Sequence, residues 1–135
     1  MTDFLLDTNT ASCLMRNDRS TVNAMRRSGA SSIAVSTVTQ SELLYGARLR
    51  PGTPALMSAV RGFLARVTVH SWDDAAAEMH AALRAKSRQE GRSAGAFDLM
   101  IAAHAQALGA TLVTSDKAIG NLNVEGLKVV AWGEN

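Results

Sequence analysis

Five short runs of apolar or β-branched residues constrain the fold more than any other feature of this chain: Phe4-Leu5-Leu6, Ile33-Ala34-Val35-Ser36, Val67-Thr68-Val69-His70, Thr111-Leu112-Val113-Thr114 and Lys128-Val129-Val130-Ala131. Between them lie stretches with helical spacing, over Ala11 to Met15, Thr21 to Arg27, Thr39 to Arg48, Ala55 to Ala65, Ala75 to Arg88 and Phe97 to Leu108. Strands alternating with helices imply βαβ crossovers, hence a mainly parallel sheet covered on both faces. The reading is one α/β domain over residues 1–135, a three-layer α/β/α arrangement around four or five strands.

Punctuation supports these boundaries. Gly29 and Gly109 stop helices, Pro51-Gly52-Thr53-Pro54 marks a turn and a helix start, and Ser115-Asp116-Lys117 turns the chain. With 23 alanines against six aromatic residues, the core must be thin and aliphatic, so that helices approach closely. On α-helical spacing, Met79 and Leu83 share one apolar face, and Phe97, Met100, Ile101, His104 and Leu108 share another. A length of 135 residues leaves little room for a second domain. The longest uncharged stretch, Leu99 to Ser115, is interrupted by His104, Gln106, Gly109 and Thr111, so no membrane span is expected. The single cysteine, Cys13, cannot form an internal disulfide, and a buried thiol in a reducing cytoplasm is expected.

Four acids fall where an open parallel sheet gathers its functional groups, beyond the carboxyl ends of its strands. Asp7 directly follows the first run, Glu42 lies early in the helix after the second, Asp98 opens the Phe97 helix, and Asp116 follows the fourth run by two residues. Each has an ordinary structural explanation. Asp7 can cap a helix, Thr39-x-x-Glu42 fits a capping box, Asp98 can answer a helix dipole, and Asp116 can sit in a turn. Gathered in one crevice they would repel one another unless a cation or shared protons compensated them. Oxygen-only ligands suit Mg²⁺ or Mn²⁺ better than zinc, and such an ion activates water against a phosphodiester.

Net charge is +2, yet residues 1–66 carry eight Arg against four acids while residues 67–135 carry six basic residues against eight acids. The Arg-rich half, with Arg16, Arg19, Arg26, Arg27, Arg48 and Arg50, offers a track for phosphates. His104 is expected in the core, bonded to a carbonyl, and His70 and His80 are read as structural or surface residues. Trp72 and Trp132 are isolated, so no stacking platform for bases is indicated, and neither a Gly-rich phosphate loop nor a Gly-x-Ser-x-Gly elbow occurs.

The motifs together resemble PIN-domain ribonucleases, and more narrowly the VapC toxins of bacterial toxin–antitoxin pairs. Leu5-Leu6-Asp7-Thr8-Asn9 resembles the opening motif, Ser36 to Gly46 the stretch around the family's glutamate, Gly91 to Ala103 the third block, and Leu112 to Asp116 the fourth. The resemblance implies that Asp7, Glu42, Asp98 and Asp116 bind Mg²⁺ or Mn²⁺, with Asp7 and Asp98 the most direct ligands. It implies that Thr8, Asn9 and Thr114 orient the acids. The implied activity is a toxin endoribonuclease that cuts structured or loop RNA, such as tRNA, with metal-activated water, leaving 5′-phosphate and 3′-hydroxyl ends. The implied partners are RNA, an antitoxin that covers the site and a second copy in a homodimer. Arg16, Arg19, Arg48 and Arg50 are the candidate RNA contacts. One departure stands out: many members carry a further acid after the fourth position, where this chain has Ile119 and Leu122. Two other readings fit parts of the pattern. A haloacid-dehalogenase-like phosphatase would use Asp7 as nucleophile but wants an acid where Asn9 stands, and a noncatalytic module would use the acids to hold a partner's arginines.

Overall fold

In the computed structural model, residues 2–91, 94–122 and 124–133 are described. Met1, Arg92, Ser93, Asn123, Glu134 and Asn135 lie outside them, so part of the third motif block is not covered. The chain runs β1 (Phe4–Leu6), α1 (Thr8–Met15), α2 (Arg19–Ser28), β2 (Ile33–Ser36), α3 (Thr37–Arg48), α4 (Pro54–Arg66), β3 (Thr68–His70), α5 (Asp74–Gln89), α6 (Ala96–Leu108), β4 (Thr111–Val113), α7 (Lys117–Gly120) and β5 (Lys128–Val130). Among the described residues five strands form one sheet in the order β3-β2-β1-β4-β5, and every pairing is parallel.

Alternation along the strands separates two cores. Leu5, Ala34 and Leu112 point to one face, against Leu83, Leu99, Ile101, Ala102 and Ala105. Their strand neighbours Leu6, Val35 and Val113 point to the other, against Ala11, Leu43, Val60 and Phe63. Successive strand residues face opposite ways, so each central strand feeds both layers. α5 and α6 cover the first face, while α1, α3 and α4 cover the second.

Several positions differ from the periodicity-based expectation. Phe97 is 55% exposed although Ile101 and His104 on the same face are buried, because it lies in the first turn of α6, where that face extends beyond the core. The buried stripe of α5 is Ala76, Leu83 and Ser87, and Met79 overhangs its edge into solvent. The segment after Asp116 is more than a turn: it forms the single-turn α7. Cys13 is only half-buried, near the end of α1 beside the Arg16 guanidinium. His104 is buried as expected, but among the described residues its Nδ1 has no hydrogen-bond partner, and its ring meets the edge of His70 at a centroid separation of 6.3 Å. Burial therefore holds its pKa below the ordinary histidine value and keeps the ring neutral. His70 ties the N-terminal segment to β3 through Thr2 Oγ1 at 2.7 Å, and Trp72 Nε1 donates to the Met100 carbonyl. Among the described residues no helix is long and apolar enough to cross a membrane.

Candidate active site

The strand order places a switch point between β1 and β4: the chain leaves β1 toward β2 on one side and later returns to β4 on the other. Helices that leave in opposite senses open a crevice beyond the carboxyl ends of these two strands. Asp7 and Asp116 stand on its two banks. The Asp7 amide donates across to the Val113 carbonyl at 3.0 Å, extending the β1–β4 pairing to the acid itself. Asp7 is buried, and its Oδ1 accepts from the Thr10 amide at 2.8 Å as the N-cap of α1. Capping employs one carboxylate oxygen and leaves the second for a ligand.

Asp116 is arranged in a similar way. Thr114 Oγ1 accepts from the Asp116 amide at 3.0 Å, and Asp116 Oδ1 caps α7 through the Ala118 amide at 2.8 Å. Thr114 thus braces the turn that carries the acid. Glu42 is not part of a capping box. The cap of α3 is Ser36, whose Oγ accepts from the Val38 amide, so Thr39 and Glu42 lie inside the helix. Thr8 Oγ1 donates to Glu42 Oε1 at 2.5 Å and lies 3.2 Å from the buried Thr39 Oγ1, linking the heads of α1 and α3. Thr39 belongs to this support and was not singled out by the sequence, where its spacing to Glu42 mimicked a capping box. Asn9 is exposed and, among the described residues, bonds to none of the four acids; it lines the neighbouring groove instead.

Asp98 reports that the four acids share one field. It lies in the first turn of α6, where the helix dipole favours a negative charge and would lower its pKa. Its pKa is instead pushed up to about 6, first by partial burial, then by a hydrogen bond to Asp116 and the charge of Asp116, and further by the charges of Asp7 and Glu42. Crowding by like charge and desolvation therefore outweigh the dipole. The charges of the other three acids named from the sequence thus act on Asp98, although the four come from four separate segments.

The donor set is chemically that of a hard dication. The four carboxylates and Thr8 offer oxygen only, which fits Mg²⁺ or Mn²⁺ and not zinc. Among the described residues no three His, Cys, Asp or Glu side chains close into a ready-made cage. Mg²⁺ does not need one, since it retains several waters and takes one or two carboxylates. Ile119 and Leu122, where a further acid was noted as missing, are buried in the core, so Asp116 is the acid that its segment presents.

Beside Glu42 runs a groove of about 340 Å³, walled by Thr8, Asn9, Arg16, Glu42 and Arg50 over an apolar floor that includes Leu43, Leu56 and Val60. Arg16 and Arg50 therefore adjoin the Glu42 side of the site, while Asp116 lines a separate hollow with Thr114 and Lys117. Arg48 lies on other hollows, with Tyr45 and with Pro51, while Arg19 begins α2; neither lines the groove.

A doubly covered parallel sheet with an acidic crevice at its switch point defines a class of α/β/α domain suited to divalent-ion chemistry. The PIN domain family profile matches residues 4–124, and the chain belongs to the PIN-domain family, on its VapC branch. It is 33% identical over 129 residues to the tRNA(fMet)-specific endonuclease VapC of Shigella flexneri, covering 93% of this chain and 98% of that protein. It is 30% identical over 132 residues to the protein of the same description from Salmonella typhimurium, covering 98% and 99%. Among solved structures, the DNA-bound VapBC of Salmonella typhimurium superposes with a TM-score of 0.85 at 30% identity, covering 98% of this chain and 99% of that one. VapBC2 of Rickettsia felis, bound to a promoter DNA fragment, gives 0.83 at 26% identity, covering 97% and 99%.

Proposed function

We propose that this chain is a divalent-metal-dependent endoribonuclease, the toxin of a type II toxin–antitoxin pair. The observation that carries the reading is the setting of the Asp98 carboxylate, partly buried and hydrogen-bonded to Asp116, within the field of Asp7 and Glu42. Such a concentration of carboxylates is costly without a cation and becomes favourable with one. Asp7 and Asp98 hold the ion, and Glu42 and Asp116 complete the site. When bound, Mg²⁺ or Mn²⁺ screens the phosphoryl oxygens and makes water a better nucleophile at neutral pH.

The protein's own contribution is placement. Thr8 fixes Glu42, the α1 cap fixes Asp7, and the Thr114 bond with the α7 cap fixes Asp116. These constraints keep the carboxylates oriented before substrate arrives. Glu42 or Asp116 positions the attacking water and accepts its proton. The water oxygen joins phosphorus, the bond from phosphorus to the 3′ oxygen breaks, that oxygen takes a proton from solvent, and the products carry a 5′-phosphate and a 3′-hydroxyl.

Structured or loop RNA is the proposed substrate, with tRNA supported by the descriptions of the Shigella and Salmonella relatives. Arg16 and Arg50 hold phosphates near the cut, a role supported by their sharing the groove with Glu42 and more direct than that of Arg19 or Arg48. An antitoxin partner is supported by the VapBC complexes among the structural neighbours, and a homodimer in the cytoplasm completes the proposal.

The test uses the purified chain freed of any partner. Mg²⁺-dependent cleavage of tRNA is expected, with a loss of about 100-fold or more in Asp98→Asn. Unchanged cleavage by Asp98→Asn would remove that residue from the site. Ion binding without cleavage by the parent would favour the noncatalytic module. Mapping RNA ends in cells after brief expression, with Asp7→Ala as control, identifies the target.

A further inference from the structure

Gly95, the N-cap of α6, lacks both of the usual reasons for a glycine. Its φ of −63° and ψ of 149° are open to any L-residue, unlike those of Gly29 and Gly109, which end helices at positive φ. As an N-cap it makes no side-chain hydrogen bond, where Ser, Thr, Asn or Asp would satisfy an amide of the first turn. Gly95 is exposed, so close packing of the core does not require it either. What glycine does provide is space. A Cβ built at this position would lie 2.9 Å from Asp98 Oδ2, 3.7 Å from its Cγ and 4.0 Å from its Cβ. The three nearest atoms all belong to Asp98.

We propose that Gly95 is a positioning residue: by carrying no side chain it leaves the room into which the Asp98 carboxylate folds back over the head of α6, toward Asp116. The inference rests on the reading of Asp98 as an ion ligand. The obstructing atom is the far end of a movable side chain, so a substituent at position 95 displaces the carboxylate and not the backbone. A serine there would do so twice. Its Cβ takes the space, and its hydroxyl gives the Asp98 carboxylate, three residues on, a new partner at the head of the helix.

Serine separates the positioning role from a structural one, because it is the better helix cap. In partner-free protein, Gly95→Ser is expected to unfold at or above the parent's temperature yet bind Mn²⁺ roughly 10–100-fold more weakly, measured by electron paramagnetic resonance. Gly95→Ala should weaken Mn²⁺ binding similarly with a small loss in Tm. Gly62→Ala, at an α4 position whose added Cβ meets only the tip of Arg66 at 3.9 Å, should bind Mn²⁺ as the parent does. If both Gly95 variants bind within about threefold of the parent while Asp98→Asn does not, the inference is overturned and the metal-site reading survives. If Asp98→Asn also binds like the parent, the metal-site reading fails and the inference fails with it. Weakened binding that appears only alongside a large fall in Tm in both variants would assign Gly95 a structural role and overturn the proposal.

Discussion

Asp98 is held in a field that makes its charge unwelcome, and this has a measurable sign. Its folded-state pKa of about 6 lies above the ordinary value of 3.8, so between these limits the folded protein binds a proton that the unfolded chain has released. In ion-free protein its contribution to stability is therefore fully present below about pH 4 and is lost as pH rises through about 6. His104 acts in a neighbouring window with the opposite sign. Its folded-state pKa is lowered by burial, so stability is lost as pH falls below the ordinary histidine value of 6.5. The difference between parent and Asp98→Asn isolates the first effect. Above pH 7 and without divalent ions, Asp98→Asn should be the more stable protein, by on the order of 1 kcal/mol once solvent screening is allowed for, read as a rise in Tm. Mn²⁺ affinity of the parent should rise with pH through about 6, and an affinity flat from pH 5 to 8 would contradict the assigned cause. Asp7 combines two roles in one carboxylate. Asp7→Asn keeps an oxygen for the Thr10 amide and should lose cleavage at nearly unchanged Tm, whereas Asp7→Ala should also lose about 1 kcal/mol of stability with the cap. The four acids were legible in the sequence because Asp7 and Asp116 follow strands, Asp98 opens a helix and Glu42 lies in the helix that follows β2. The link from Thr8 to Glu42 was not, since it joins residues 34 apart in sequence whose approach is set by the packing of α1 against α3.

The helices of this domain depend on small side chains where they are most crowded. α6 buries Ala102, Ala103 and Ala105 almost completely, packed between the sheet and its neighbours, and Trp72 fastens to its backbone at Met100. Little free volume is available there, so Ala105→Leu should cost about 1–3 kcal/mol, measured by denaturant unfolding. Ala96→Leu, at the exposed first position of α6, should change stability by less than about 0.5 kcal/mol. An equal cost at both positions would mean that α6 is less tightly seated than its burial implies. At this scale the strands were legible because their β-branched runs are short and bounded, and the longer helices because their apolar residues repeat. The single turn α7 was not, since four residues are too few to show a period. Periodicity puts Phe97 and Met79 on buried faces because it identifies a stripe but not how far along or around the helix the core extends. The cap of α3 was misplaced because Thr39 and Glu42 have capping-box spacing, while the strand before them ends at Ser36 and the helix begins immediately after it.

Charge is distributed over the whole molecule in a way that matches its two surfaces. The first 66 residues hold eight of the eleven arginines, and they build α1, α3 and α4 on the face of the sheet that carries the groove. α5 covers the opposite face with its own basic residues. A net charge of +2 is too small to attract RNA strongly as a whole. Binding must then depend on local contacts, and their number can be counted. Each phosphate neutralised on a single strand contributes about −0.7 to the slope of log affinity against log salt. In an Asp98→Asn background, which should bind without cutting, Arg16→Ala and Arg50→Ala should each reduce the magnitude of that slope by about 0.7. Arg84→Ala, on the outer side of α5, should leave the slope unchanged. The measurement is RNA affinity by fluorescence anisotropy across a salt series. A slope equally sensitive to Arg84 would place the RNA across both faces, while one insensitive to Arg16 and Arg50 would detach the groove from the substrate path and leave it to the antitoxin.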